Sequence, residues 1–343
     1  MVNSNLREDR VNKVVQGSGS DTERKIISIL KVLSESSEPL GSITIARELE
    51  RYGIFLSERA IRYHLRITDE RGYTHPMGRD GRMLTPQGLD ELRMALAPDQ
   101  VGFILDQLEL LAFRPTFNPA DKSGLVPINT SLFDANKFEK ALVIMKEIFK
   151  SGLAVSDLVI TAREGEKIGS VIVPPGKIGL GTVCSVVVNG VLLKAGIPIE
   201  SRFGGVLEIR NNKPSRFVAL INYSGTSLDP SEQYIRARMT AVTDAARGSG
   251  KILANFREIP ALARSLVDEK ITQLKVVGIH GVYLLGNTSE PICQIAVGLN
   301  RVGVVMVGGL NPVAAVVEAG IEVENTSESG LVEYEQVKSI QSI

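Results

Sequence analysis

The chain has 343 residues, 43% of them hydrophobic, and 39 basic against 39 acidic side chains, so it has length for two or three domains but no overall charge that advertises nucleic acid. Two cysteines, Cys184 and Cys293, without a CxxC pair, and three scattered histidines, His64, His75 and His280, argue against a disulfide scaffold or a zinc site. No apolar run reaches the roughly 18 residues of a membrane span, and MVNSNLREDR has no apolar core for a signal peptide, so a cytoplasmic protein is expected.

Residues 1–20 are polar, carry GSGS and read as a flexible arm. Residues 21–97 read as one module. Asp21 can cap a helix with the stripe Ile26, Ile29, Leu30 and Leu33. A shorter helix carries Ile43, Ile45, Ala46 and Leu49, with Gly53 at its end. Ser57 suits the cap of a third helix that turns Ala60, Ile61, His64 and Leu65 inward. Gly72 ends it, and Tyr73–Leu84, with Asp80-Gly81 at the turn, reads as a hairpin; His75 before Pro76 reads as a loop residue. Thr85-Pro86 opens a fourth helix.

Three helices and a hairpin form the winged helix-turn-helix order, in which the third helix can enter the major groove. From Arg51 to Arg82 there are seven arginines and four acids, a net +3 without a lysine. Guanidinium groups grip phosphate or guanine with paired hydrogen bonds. The expected DNA contacts are therefore Ser57, Arg59, Arg62, Tyr63 and Arg66 on the third helix, and Arg79 and Arg82 on the wing. The alternatives are a solvated basic face that binds only protein, and a Tyr63 packed on the second helix.

Residues 98–125 read as a connector. DQVGFILDQLELLAF, residues 99–113, has the stripe Val101, Ile104, Leu105, Leu108 and Leu111. It fits a link between modules, a pairing with its copy in a dimer, or packing on its own sensor.

Residues 126–336 read as a mixed α/β sensor. VPINTSL suggests a strand, and Asp134 can cap a helix with Phe138, Ala141, Leu142, Met145, Ile148 and Phe149. LVITA, SVIVP, TVCSVVV, RFVALI, KVVGI and ICQIAV suggest further strands. The sensor also matches itself. GLGTVCSVVVNG from Gly179 parallels GLNRVGVVMVGG from Gly298, 119 residues on; KAGIPIES parallels EAGIEVEN, 124 on; GGVLE parallels SGLVE, 125 on. Two related halves, about 170–208 and 290–333, are expected, with a ligand cleft between them.

Gly308, Gly309, Asn311 and Pro312 open a helix where free N–H groups favour an anion. Arg202, Gly204 and Gly205 in the first half and Arg301 before the second repeat strand complete the expected ligand set; ordinary turn chemistry is the plainer reading of the glycines. Enzyme readings fail. Gly248-Ser249-Gly250-Lys251 partly resembles a phosphate loop, but Ile252 stands where Ser or Thr is required and Ala245 where the first glycine belongs. No nucleophile triad, carboxylate pair or metal motif is present, and lone His280 fits a structural role as well as a site.

LSERAIRYHL, GTVCSVVVNGVLLKAGIPIESRFGG, SLDP, GSGKILANFREIPA and VGGLNPVAAVVEAGIEVEN resemble the NrpR family of archaeal nitrogen-regulatory repressors, from about residue 22 to the C-terminus. The resemblance implies a transcriptional repressor of nitrogen-assimilation genes that acts on double-stranded operator DNA and is released by 2-oxoglutarate. It also implies a homodimer or pairing with a related repressor subunit. Other readings are a DNA-binding regulator that senses a different small anion, or a protein-interaction subunit of a repressor complex. No cofactor beyond the effector is expected.

Overall fold

A computed structural model describes residues 21–36, 38–99 and 103–343. The expected arm, 1–20, and Val101 of the connector stripe lie outside the described residues. Two compact units divide the chain between residues 100 and 101.

In the first unit, helix α1 (21–34), α2 (Ser42–Glu50) and α3 (Glu58–Glu70) precede the short strands β1 (Thr74–Pro76) and β2 (Arg82–Leu84), and α4 (Pro86–Asp99) follows. Ile26, Ile29, Leu30 and Leu33 of α1, Ile45 and Leu49 of α2, and Ile61 and Leu65 of α3 are all buried. Each such side chain contributes about 1.5–3 kcal/mol by leaving water. Ile43 departs from expectation: it is exposed, on the side of α2 away from this core. The Ser57 hydroxyl caps α3 by accepting from Ala60 N at 3.2 Å. His75 is an exposed residue of β1, paired with Met83, and not a loop residue. Leu40 adds a third short rung to the wing by exchanging backbone hydrogen bonds with Arg82, both 3.0 Å. Gly81 permits this closeness: at φ +118°, a Cβ there would lie 2.2 Å from the Leu40 carbonyl oxygen.

The second unit opens with α5 (Phe103–Phe113), whose Ile104, Leu108 and Leu111 pack with Val186 and Tyr223 of the same unit. Then follow β3 (Leu125–Asp134), α6 (Phe138–Lys150), β4 (Leu158–Ala162), the short pair β5 (Lys167–Ile168) and β6 (Val171–Ile172), β7 (Lys177–Val183), α7 (Val186–Lys194) and β8 (Glu200–Arg210). After β9 (Lys213–Asn222), α8 (Pro230–Arg236) and α9 (Val242–Ala246), a similar order recurs. It runs β10 (Gly250–Pro260), α10 (Arg264–Val276), β11 (Val282–Thr288), β12 (Arg301–Val307), α11 (Asn311–Glu318) and β13 (Glu324–Glu333), with β14 (Lys338–Ser339) after it.

These strands form two five-stranded antiparallel sheets, β13-β3-β7-β4-β14 and β11-β12-β10-β8-β9. The last strand of each run pairs with the first strand of the other: β8 lies beside β10, and β13 beside β3. Each run therefore completes the other's sheet. Ile128 pairs with Val183 and Ala254 with Val307, which puts Asn129 and Asn255 in matching places.

Several sequence expectations are corrected here. TVCSVVV is not one strand: β7 stops at Val183 and the valines begin α7. Three valines in a row favour extended structure, but Val186–Leu192 are buried all along the helix. Packing overrides propensity, and no amphipathic period marks the segment. The 119-residue match therefore sets helix residues Val186–Val188 against strand residues of β12. Strands β7 and β12 start at 177 and 301, so their matching spacing is the 124 seen in the AGI turns. KVVGI is the end of α10, stopped at Gly278 with φ +77°. ICQIAV is irregular, because Cys293 and Gln294 both take left-handed backbone conformations. Of SVIVP only Val171–Ile172 is strand. Asp134 makes no helix cap; its carboxylate pairs with Lys177 at 2.7 Å and Lys137 at 3.2 Å.

Candidate functional site

On α3 the burial of Ile61, His64, Leu65 and Thr68 leaves Arg59, Arg62, Tyr63 and Arg66 exposed together on the outer face. The Arg66 guanidinium stands 5.9 Å from the centre of the Tyr63 ring, and Arg62 pairs with Glu58. Tyr63 is exposed and meets His64 edge-on at 5.3 Å, so it belongs to the outer face. Burial holds the His64 imidazole below its usual pKa, which suits its inward position. Arg79 is exposed at the wing turn. Arg82 differs: it is half-buried, and its Nε donates to Asp69 at 2.8 Å. Ser57 spends its hydroxyl on the cap.

Of the eight expected ligand residues, the structure brings one, Gly309, to a cavity. Asn311 is fully buried and holds α11 to β10, its side chain bonding Leu253 N at 2.8 Å and Leu253 O at 3.0 Å. Pro312 is buried in the first turn of α11. Gly308 lets β10 approach, since a Cβ would meet Leu253 Cβ at 2.6 Å. Gly204 and Gly205 likewise make room for Pro230 and Phe217. Arg202 pairs with Glu200 at 2.7 Å, Arg301 pairs with the same carboxylate, and both stand 3.9 Å from Glu258. These two arginines form a separate ion-pair cluster and do not line the cavity. His280 is exposed.

The cavity has a volume of about 20 Å³, room for a water molecule. Asn129, Cys184, Ser185, Tyr223, Asn255, Arg257, Gly309 and Leu310 line it, together with Leu108, Asp229, Ser231, Ser327 and Glu328. Its centre of interest is Arg257, which is 0% exposed. Arg257 Nη2 donates to Ser185 Oγ at 3.2 Å, but Nε and Nη1 have no hydrogen-bond partner among the described residues. A buried guanidinium in that condition costs several kcal/mol that an anion would recover.

Two helix starts add a local preference for negative charge. Ser185 directly precedes α7, and Leu310 precedes α11, so two helix N-termini reach the cavity. Ser185 Oγ also accepts from Asn255 Nδ2 at 3.2 Å, while Asn255 Oδ1 accepts from the Tyr223 hydroxyl at 2.6 Å. Asn129 Oδ1 accepts from Glu328 N at 3.0 Å. A Cβ at Gly309 would lie 2.6 Å from Asn129 Nδ2 and would displace that amide. Burial pushes the Cys184 thiol up to about 12, Glu328 up to about 8 and Asp229 up to about 6. Burial also lowers the Arg257 pKa, against the opposing pull of Tyr223, Cys184 and Glu328. Cys184 is a free thiol.

The sequence reading missed Arg257 although a signal existed. ILANFREI is an apolar run interrupted on one face by Asn255 and Arg257, two residues apart. Polar residues in a strand buried on both faces need partners, and here the partners surround a cavity.

A family described as NrpR regulatory domains NRD1 and 2 matches residues 101–339. The chain belongs to the NrpR family. Residues 27–92 match a second family, the ribonuclease R winged-helix domain. Among NrpR proteins, the chain is 42% identical over 319 residues to the global nitrogen regulator NrpRI of Methanosarcina mazei, covering 93% of this chain and 98% of that one. It is 33% identical to the global nitrogen regulator NrpR of Methanocaldococcus jannaschii, over 94% of this chain and 56% of that protein. It therefore spans about half the length of that relative. A crystal structure of a nitrogen repressor-like protein from Methanococcus jannaschii superposes with a TM-score of 0.58 at 27% identity, covering 70% of this chain and 98% of the other. The winged helix and the NrpR regulatory region together make this chain a nitrogen-related transcriptional regulator with a mixed α/β regulatory unit. Among the described residues no helix is long and apolar enough to cross a membrane.

Proposed function

We propose that this NrpR protein represses nitrogen-assimilation genes by holding operator DNA through α3 and the wing, and that 2-oxoglutarate bound at the Arg257 cavity releases it. The observation that carries the effector reading is the buried Arg257 with two unpartnered nitrogens, set at the starts of α7 and α11. One carboxylate of a small dianion supplies the missing partner, and helix N-termini favour the second. The outer face of α3, with Arg59, Arg62, Tyr63 and Arg66, and Arg79 on the wing carry the DNA reading. Arg82, tied to Asp69, steadies the wing in this account.

The two runs of elements in the regulatory unit are taken as related halves, with the cavity where they exchange strands. An effector releases DNA only if it binds the DNA-free arrangement more tightly. Two copies, or this chain and a related subunit, would match the two half-sites of a palindromic operator. The test is calorimetry with 2-oxoglutarate on the wild-type chain and on Arg257→Gln. Binding by the first and loss in the second supports the reading; equal binding refutes the site.

A further inference from the structure

We propose that the Ser327–Glu328 bulge of β13 is the gate of the Arg257 cavity, latched to the start of α8, and that its opening joins the cavity to a cleft outside. This rests on reading Arg257 as an anion site. At about 20 Å³ the cavity has no room for a dicarboxylate. Beside it lies a cleft of about 250 Å³, lined by Ile104, Gln107, Gln233 and Arg236 among others. Asp229, Ser327 and Glu328 belong to both linings, so they form the partition.

The partition is built to move. Thr326 pairs with Thr130 and Gly330 with Ile128, so three residues of β13 face the single residue Asn129. Glu328 takes a left-handed conformation at φ +53°, an uncommon one for a residue with a side chain. Three polar bonds hold the pair: Ser327 Oγ to Asp229 Oδ1 at 2.9 Å, Ser327 N to Glu232 Oε1 at 2.8 Å, and Glu328 N to Asn129 Oδ1. Ser329 beside them is fixed: its hydroxyl bonds Thr130 at 2.6 Å and its carbonyl accepts from Ser170 N at 2.8 Å. The moving piece is thus two polar residues between anchored ends, and water can replace each bond it breaks. Opening carries the Glu328 carboxyl away from Arg257 and clears the path past Asp229. The exposed Arg236 guanidinium on the cleft side attracts an incoming anion.

Cys184 lines the cavity and reports on the gate. The experiment measures its labelling by methyl methanethiosulfonate in a Cys293→Ser chain, with Ser327→Ala and Glu232→Ala, which removes the acceptor of Ser327 N, added singly. The gate predicts labelling about fivefold faster in either latch variant, from the loss of a hydrogen bond, under conditions where the thermal midpoint shows the chain still fully folded. Labelling unmoved in both, or rising only in step with global unfolding followed by tyrosine fluorescence, overturns it. The effector reading fails separately, if the wild-type chain binds no 2-oxoglutarate. The gate stands in that case if the latch variants still label faster.

Discussion

Asn255 Nδ2 and Arg257 Nη2 both end on the Ser185 hydroxyl, each 3.2 Å from its oxygen. The first two share one face of β10, and Ser185 directly precedes α7, so the contact ties a strand of the second run to the start of a helix of the first. It leaves Arg257 Nε and Nη1 unpartnered. Arg257→Gln is expected to weaken 2-oxoglutarate binding at least tenfold by calorimetry. Its thermal midpoint should not fall, because a buried unpaired charge is removed. Lost binding with a sharply lower midpoint would mark Arg257 as structural support instead.

The outer face of α3 makes a prediction that separates charge from fold. Arg59→Ala with Arg62→Ala should lower operator affinity and reduce the slope of log K against log salt by about 2, one counterion per lost phosphate contact. Arg82→Ala breaks the pair with Asp69 and should lower the melting midpoint while changing the slope little. A slope unchanged in the double variant would favour a winged helix that binds protein.

Two glycines test the close approaches. Gly81→Ala places a Cβ 2.2 Å from the Leu40 carbonyl at a positive φ, which should destabilise the winged helix by about 2 kcal/mol or more. Gly309→Ala places one 2.6 Å from Asn129 Nδ2. It should abolish the effector response in a gel-shift titration while leaving operator affinity intact. Operator affinity lost with Gly309→Ala would deny the separation of the two roles.

The two raised carboxyls set a pH dependence. Glu328 titrates at about 8 and Asp229 at about 6 in the folded chain, against about 4.3 and 3.9 when unfolded. Between those values these two groups hold more protons in the folded chain, so their contribution to stability falls as pH rises from about 4 to 8 and levels off above, while the lowered His64 contributes in the opposite sense. Glu328→Gln should flatten the part between pH 6 and 8. Thermal midpoints of both chains across that range check it; a wild-type midpoint that does not fall relative to that of Glu328→Gln as pH rises would contradict the assignment.

How much of this was legible in the sequence varies with the physics. The winged helix was readable because its signals are local: Ser57 caps, Gly72 stops α3, Pro86 starts α4, and the apolar stripe of α1 repeats at helical spacing. The regulatory unit was readable as mixed α/β, but α7 was not, because a helix buried all along its length has no amphipathic period and its valines mimic a strand. The exchange of β8 and β13 between sheets is a long-range pairing that no local signal encodes. The expected ligand residues do not converge on the cavity for a similar reason. Arg202, Arg301 and Gly308 stand out locally as glycines and arginines near turns, whereas Asn129, Ser185 and Arg257 converge only after the two runs fold together.

The most direct test of the account is fluorescence anisotropy of a labelled operator fragment bound to the wild-type chain and to Arg257→Gln, titrated with 2-oxoglutarate. The account predicts that 2-oxoglutarate releases the DNA from the wild-type chain and leaves it bound to the variant. Release of both alike, or of neither, would contradict it.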